Sequence, residues 1–193
     1  MARLPLVIDI ETKYTFREFS DHKKLQVSVA AAYDFASGRE LIFEEKELGG
    51  LFRLFESCSY IVGYNINSFD LPVLQAYYPG DIAAFTTFDL LDDIREKIGR
   101  RLGLNDVVNA TLGKHKSGHG LQAIELFKSG KMAELKEYCM DDVRLTKELF
   151  EYGVKNGQIN YLNERGKMNI KVEWKKYLEE GVGEKTTSLT LPF

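Results

Sequence analysis

The chain has 193 residues, of which 44% are hydrophobic and 28% are charged, and its formal net charge is −3. This length and composition predict one globular domain and exclude a disordered, collagen-like or coiled-coil chain. The acidic balance excludes the broadly basic surface by which many nucleic-acid binders neutralise phosphates, so any contact with nucleic acid needs local cations, bound metal, or both.

The sequence carries no visible targeting signal and no disulfide framework. Its apolar runs, such as residues 29–33, are far too short to span a bilayer, and the first six residues hold no long apolar stretch. The two cysteines, Cys58 and Cys139, are too few for a disulfide framework. We therefore expect a cytoplasmic protein with reduced thiols and no membrane partner.

Strands and short helices alternate in the first half of the chain. The apolar patterns predict strands over residues 6–10, 25–34, 39–44 and 60–64, with a turn at 37–38. Helical spacing of apolar residues predicts helices over residues 46–57 and 71–77.

Helices dominate the second half. They are predicted over residues 89–98, 104–112, 121–129 and 131–152, and a strand pair is predicted over 158–162 and 168–174. Early alternation followed by helices predicts an α/β layered domain, which we assign to residues 1–178. The polar, glycine-containing end predicts a mobile tail over residues 179–193.

Two acids stand at the end of the first predicted strand. Asp9 and Glu11 are two positions apart, so their side chains share one face of the strand. Two carboxylates so close repel each other unless a cation lies between them, and Mg²⁺ prefers carboxylate oxygens. The pair therefore indicates either a metal site or a solvated strand end.

A polar segment connects the strand at 60–64 to the helix at 71–77. It contains Asn65, Asn67 and Asp70, with Phe69 before the acid. Asp70 has the residue type of a helix N-cap, and the asparagines are typical of turns. The same residues also suit a polar site, and this segment alone leaves both interpretations open.

A fourth acid lies within the predicted helix at 131–152. Asp142 falls in its apolar stripe, and Tyr138 is one turn earlier on the same face. A carboxylate on a buried face is costly unless it is paired with a cation or binds a metal. Asp142 is therefore predicted to form a salt bridge or to ligate metal, whereas its neighbour Asp141 points elsewhere.

Together these segments resemble the three motifs of the DEDD exonucleases, which have a ribonuclease H-like fold. The motifs are residues 9–12, residues 65–70, and Tyr138 followed by Asp142. With Tyr138 in the third motif, the chain resembles the DEDDy branch, because the histidine branch would carry His in place of Glu137. The chain is most similar to the stand-alone family related to the exonuclease domain of family-B DNA polymerases. It also resembles the ribonuclease H-like domain of some DEAD/DEAH helicases.

This resemblance covers residues 5–175 and implies a mixed central sheet flanked by helices, with a small C-terminal strand pair. It implies a metal-dependent 3′–5′ exonuclease that acts on single-stranded DNA or RNA ends and releases nucleoside 5′-monophosphates. The four acids of the family correspond to Asp9, Glu11, Asp70 and Asp142. They would hold two Mg²⁺ or Mn²⁺ ions, one for the attacking water and one for the leaving 3′ oxygen.

The resemblance also implies roles around the acids. Tyr138 would orient the attacking water, since a tyrosine hydroxyl with a pKa of about 10 stays protonated at neutral pH. Asn65 matches the position that contacts the terminal nucleotide, and Phe69 is expected to pack in the core. The residues expected to contact phosphates, or else to form a solvated basic face, are Arg100, Arg101, Lys114, His115 and Lys116. His119, in a glycine-flanked loop before a predicted helix, is expected to face solvent, and the alternative is that it approaches the substrate.

The last six residues, Ser188 to Phe193, contain three large apolar side chains after a polar stretch. This end resembles the short peptide by which bacterial replication and DNA repair proteins dock on the sliding clamp. The motif normally begins with Gln, and here Ser188 takes that place. The resemblance implies a clamp partner, and the alternatives are a tail that folds back on the domain or a fortuitous apolar end.

Two other functions remain open on the sequence. The domain could be a non-catalytic nucleic-acid-binding module that keeps the fold without turnover. It could also be a phosphodiesterase for very short oligonucleotides, because a short substrate needs few phosphate contacts and the net charge is low.

Overall fold

A computed structural model describes residues 3–115 and 120–179 of the chain. Lys116, His119, residues 180–193 of the predicted tail and the predicted clamp-docking peptide at 188–193 lie outside the described residues, so these predictions stay predictions. Within the described ranges, no helix is both long enough and apolar enough to cross a membrane.

A mixed five-stranded sheet forms the centre of the fold, in the order β3-β2-β1-β4-β5. β1 pairs antiparallel with β2 and parallel with β4, so it lies in the middle of the sheet. The strands are β1 (Leu6–Thr12), β2 (Val27–Asp34), β3 (Arg39–Glu44), β4 (Ile61–Gly63) and β5 (Thr87–Asp89).

Helices cover this sheet, and a separate two-stranded hairpin follows the longest of them. The helices are α1 (Leu48–Ser57), α2 (Asp70–Leu74), α3 (Leu90–Ile98), α4 (Leu104–Leu112), α5 (Gly120–Lys128), α6 (Met132–Asn156) and α7 (Lys175–Glu179). The hairpin consists of β6 (Gln158–Asn163) and β7 (Gly166–Lys171). The predicted mixed sheet with a small C-terminal strand pair is confirmed.

The sheet has a hydrophobic core on each face. On one face Val7, Val62 and Phe88 pack with apolar residues of α3 to α6 and of the hairpin. On the other face Leu6 and Ile8 pack with α1 and α2. Because both faces are covered, β1 begins as a continuous apolar run, and it turns acidic only where it leaves the core.

The structure differs from the sequence prediction at β5, at the second hairpin strand and at α7, which was not predicted. β5 was not predicted, because three residues are too few to show a period, and Asp89 ends this strand as well as capping α3. The second hairpin strand was expected to reach residue 174, but β7 ends at Lys171. Trp174 lies beyond the strand and is 1% exposed.

Trp174 anchors the C-terminal part of the described chain to α6. Its Nε1 donates a hydrogen bond to Asp93 Oδ2 at 2.8 Å, and its ring lies along that of Phe150, with an interplanar angle of 27°. Gly153 of α6 lies directly beneath the ring. A Cβ atom at Gly153 would be 2.1 Å from the Trp174 ring, so only glycine fits there.

We expect Gly153→Ala to destabilise the protein, because the methyl group must displace the Trp174 ring. Overpacking a core costs about 1–3 kcal/mol, and replacing a helical glycine by alanine returns at most about 1 kcal/mol. Chemical denaturation measures the net loss. Trp174 is the single tryptophan, so a red shift of native fluorescence reports its displacement.

Gly49→Ala in α1 is the matched control. Gly49 is exposed and nothing lies within 4 Å of a Cβ placed there, so this substitution should stabilise the protein by about 0.4–1 kcal/mol. An equal gain in Gly153→Ala would show that Trp174 does not pack on Gly153.

Candidate active site

β1 presents two acids to the face of the sheet that α6 covers. Val7 of this strand belongs to the core on the α6 side, and Asp9 and Glu11 follow it at intervals of two residues. The register with β2 shifts between Glu11 and Thr12, so regular pairing ends immediately after the second acid. The carboxylates of Asp9 and Glu11 therefore lie at the end of β1, at the border of the hydrophobic core.

α6 places a third acid next to Asp9 and Glu11. Asp142 is 3% exposed and lies in the middle of this helix. One ligand oxygen from each of Asp9, Glu11 and Asp142 lies within 4.8 Å of the others. Three carboxylates this close form a hard-oxygen site of the kind that Mg²⁺ and Mn²⁺ prefer. Of the two interpretations left open for Asp142, this grouping favours the metal ligand.

Asp70 lies beside this cluster without belonging to it. Its Oδ1 accepts a hydrogen bond at 3.0 Å from the backbone N–H of Ile10, the residue between Asp9 and Glu11. The carboxylate therefore ties the start of α2 to β1, and the N-cap position of α2 belongs to Phe69. Burial, helped by the nearby charges of Asp89 and Asp142, raises the pKa of Asp70 to about 7.

A cleft of about 430 Å³ opens above these acids. Asp9, Glu11, Asp70 and Asp142 all line it, together with Asn65. Three segments far apart in the sequence thus contribute to one concave surface, as expected for a small-ligand or substrate site.

Tyr138 is buried beside the acidic cluster on α6. Its side chain is 5% exposed and packs in the core on the α6 side, one turn before Asp142. Tyr138 is not one of the described residues that line the cleft. Its role in orienting water therefore stays a prediction.

Cys139 supports Asp9 from within the core. Its Sγ lies 3.5 Å from the backbone oxygen of Asp9 and 3.6 Å from Oδ2. Burial, together with the charges of Asp9, Glu11 and Asp142, raises the pKa of this thiol well above its ordinary value. The protonated thiol is thus a hydrogen-bond donor to Asp9, a contact that the sequence did not indicate.

Asp89 organises the loop after β4 and was missed as a site residue. Its carboxylate accepts hydrogen bonds from the backbone N–H groups of Asn65 at 2.8 Å, Asn67 at 3.0 Å and Leu91 at 2.9 Å. Asn65 has a left-handed φ of 70°, a conformation that asparagine tolerates better than most residues. Burial raises the pKa of Asp89, while the hydrogen bonds from Asn67 and Asn65 oppose this shift.

An aromatic rim borders the cleft. Phe16 and Phe69 both line it, and their rings meet edge to face with centroids 5.9 Å apart. His22 contacts both rings, and its Nε2 lies 3.1 Å from the Ser68 oxygen. Phe16 is 49% exposed, which is unusual for a large aromatic side chain. No pattern in the sequence pointed to Phe16, whereas Phe69, which was expected to pack in the core, packs against the core and also lines the cleft.

The predicted phosphate-binding residues are placed differently from one another. Arg101 donates a hydrogen bond to Asn65 Oδ1 and so lies beside the cleft. Arg100 lies over the ring of Tyr161 in β6, with 5.1 Å between the guanidinium carbon and the ring centroid. Lys114 instead pairs with Glu148 at 2.5 Å, which neutralises it.

Comparison with known protein families identifies the fold. Residues 6–154 match the family model described as the RNase H superfamily. The chain belongs to the RNase H superfamily. The ribonuclease H-like fold predicted from the three acidic motifs is thus confirmed, whereas membership of the DEDDy branch stays a prediction. No sequence among the curated proteins matches this RNase H-like chain significantly.

Solved structures show the same RNase H-like architecture. The family B DNA polymerase from the hyperthermophilic archaeon Pyrobaculum calidifontis gives a TM-score of 0.62 at 23% identity, covering 80% of this chain and 25% of the polymerase chain. RNase D from Trypanosoma brucei gives a TM-score of 0.53 at 17% identity, covering 78% of this chain and 57% of that one. At these identities the likeness shows the fold alone, and this chain spans less than two thirds of either protein.

We expect Asp89→Ala to loosen the Asn65–Asn67 loop. The substitution removes a helix cap, which costs about 0.5–2 kcal/mol, and leaves partly buried N–H groups of the loop without their acceptor. Hydrogen exchange at residues 65–67 should accelerate far more than exchange in the core strands. Asp81→Ala is the control, because Asp81 caps an exposed turn through Ala83 N at 3.0 Å and lies away from the loop. Equal exchange at residues 65–67 in both variants would contradict the role of Asp89.

We expect the metal-free protein to lose stability as the pH rises from about 4 to about 7 through Asp70. Its pKa in the folded state, about 7, lies above its ordinary value, so the folded protein keeps a proton that the unfolded chain releases over this window. Asp70→Asn keeps an oxygen for the Ile10 N–H and removes the charge. Denaturation in EDTA should therefore show a flatter pH profile for this variant and higher stability at pH 8. A profile parallel to that of the wild type would contradict the shift.

Proposed function

We propose that this protein is a metal-dependent 3′–5′ exonuclease that acts on single-stranded nucleic acid. One observation carries the proposal: the carboxylates of Asp9, Glu11 and Asp142 converge within 4.8 Å in a cleft that Asp70 also lines. Three carboxylates this close repel one another unless a cation lies between them. Without a bound cation they provide little catalytic machinery.

The donor set fits a divalent metal ion. Asp9, Glu11 and Asp142 would hold one Mg²⁺ or Mn²⁺, and Asp70, which lines the same cleft, is available to a second. When bound, such ions supply an activated water and neutralise charge on the scissile phosphate and on the leaving oxygen. Cys139 and the Ile10 N–H fix Asp9 and Asp70 in place, so the ligand oxygens are preorganised.

The walls of the cleft suit a single strand end. Phe16 and Phe69 offer ring surface and edges on which a nucleobase can stack, a contact worth about 1–3 kcal/mol per base. Asn65, held by Asp89 and by Arg101, offers its side chain to the terminal nucleotide. The cleft has the volume of a small-ligand pocket, about 430 Å³, which suits one unpaired nucleotide and not a duplex.

The decisive experiment uses an oligonucleotide of about twenty nucleotides, labelled at its 5′ end, as DNA and as RNA, with Mn²⁺ or with EDTA. We expect a metal-dependent ladder that shortens from the 3′ end. A circular single strand should stay intact, because it has no end. Cleavage of the circle would identify an endonuclease. Cleavage of dinucleotides alone would identify the phosphodiesterase for very short substrates.

Two neighbouring acids on α6 give a matched pair of variants. Loss of residues that merely support a metal ligand lowers activity about 10- to 100-fold, so Asp142→Asn should lose about 100-fold or more. Asp141→Asn should keep its activity within a few-fold, since Asp141 faces Arg144 at 2.9 Å and not the cleft. Failure of the folded wild-type protein to cleave any strand with Mn²⁺ would leave the non-catalytic binding module as the function.

A further inference from the structure

A pocket at the tip of the β6–β7 hairpin has no part in the chemistry described above. Its volume is about 340 Å³, and it is lined by Arg100, Tyr161, Asn163, Glu164 and Arg165. We propose that this hairpin pocket binds the phosphate backbone of the single strand a few nucleotides upstream of its 3′ end. The inference rests on the proposed function and extends it, because it makes oligonucleotides and not dinucleotides the preferred substrates.

Charge is the first argument. The chain carries a net charge of −3 and the cleft is lined by acids, so a polyanionic strand needs local cations to approach. Many exposed cations elsewhere are neutralised, as Lys114 is by Glu148 and Arg144 is by Glu40. By contrast, in residues 3–115 and 120–179 no carboxylate forms an ion pair with Arg100 or Arg165, although Glu164 lines the same pocket.

The second argument is the way Arg100 is held. Its guanidinium lies over the ring of Tyr161, with 5.1 Å from its central carbon to the ring centroid. A cation–π contact with a neutral ring adds no carboxylate to the pocket, so the five N–H donors of the guanidinium are not neutralised and can serve phosphate oxygens. The aromatic ring thus orients the cation without neutralising it.

Continuity with the cleft is the third argument. Arg101, the next residue, donates to Asn65 Oδ1, and Asn65 lines the cleft. The same loop is fixed by the Tyr64 hydroxyl, which donates to the Leu102 oxygen at 2.9 Å. A strand whose last nucleotide lies at Asn65 therefore meets Arg101 first and the hairpin pocket next.

The hairpin is rigidly attached, so its position relative to the loop is set before a strand arrives. Thr111 Oγ1 at the end of α4 donates to the Asn160 oxygen at 3.1 Å and accepts from the Asn160 N–H at 2.9 Å. Ile159 and Ile170 face each other across the hairpin and are buried in the core on the α6 side. Binding would then cost little ordering of the protein.

The test separates binding from cleavage. Dissociation constants for a labelled single strand of about twenty nucleotides are measured by fluorescence anisotropy in EDTA across a series of salt concentrations. Each lost phosphate contact should lower the salt slope by about 0.7, which corresponds to about fivefold weaker binding at 0.1 M salt. We expect this change in Arg100→Ala and in Arg165→Ala. With Mn²⁺, cleavage of the long strand at low concentration should fall by the same factor, while cleavage of a dinucleotide should not change.

Arg39→Ala is the matched control. Arg39 is an exposed arginine at the start of β3, on the opposite edge of the sheet, and its loss should change neither binding nor cleavage. Arg165→Ala removes an exposed side chain and keeps the backbone hydrogen bond from Arg165 N to Asn163 Oδ1 that closes the hairpin turn.

The outcomes are distinguishable. Binding by Arg165→Ala as tight as by Arg39→Ala, with an equal salt slope, overturns the hairpin pocket whatever the enzyme cleaves. A wild-type protein that cleaves nothing, yet binds the strand through Arg100 and Arg165, overturns the exonuclease proposal and supports the pocket.

Discussion

Mutual repulsion among carboxylates is the constraint on which the rest of this structure depends. Asp9, Glu11 and Asp142 lie within 4.8 Å of one another, and Asp70 lies in the same cleft at 3% exposure. Burying this group of acids lowers the free energy of unfolding. Apolar burial in the two hydrophobic cores on either side of β1 offsets that loss. The central strand must therefore be buried on both faces before it can present acids at its end.

The same constraint explains why polar groups beneath the cleft are tied to the backbone. Asp70 accepts from Ile10, and Asp89 accepts from Asn65 and Asn67. Each of these bonds connects two segments that would otherwise move independently. The acids are thus held by the loops and strands around them, which is the arrangement that precise placement of ligand oxygens requires.

The sequence alone predicts much of this fold, and the reasons are local. β1, the hairpins and α6 have clear periods or turns, and Asp142 stands out because a carboxylate interrupts an apolar stripe. That Asp9 and Asp142 meet could be expected only from the family resemblance, since no local signal connects positions so far apart. β5 is too short to show a pattern, and Asp89 resembled an ordinary helix cap although it also holds a loop. Phe16 lies in a segment without periodicity, so its exposure at the cleft follows only from tertiary packing.

The position of α6 late in the chain has a consequence for synthesis on the ribosome. Cys139 and Asp9, which touch across the core, are 130 positions apart. A nascent chain that ends before α6 has Asp9, Glu11 and Asp70, but it lacks Asp142 and the α6 residues that complete the core on this face of the sheet. Burial of that face and completion of the acidic cluster therefore occur in the same step. A partly translated chain therefore does not add the Asp142 charge to Asp9 and Glu11 before it has the α6 side of the core.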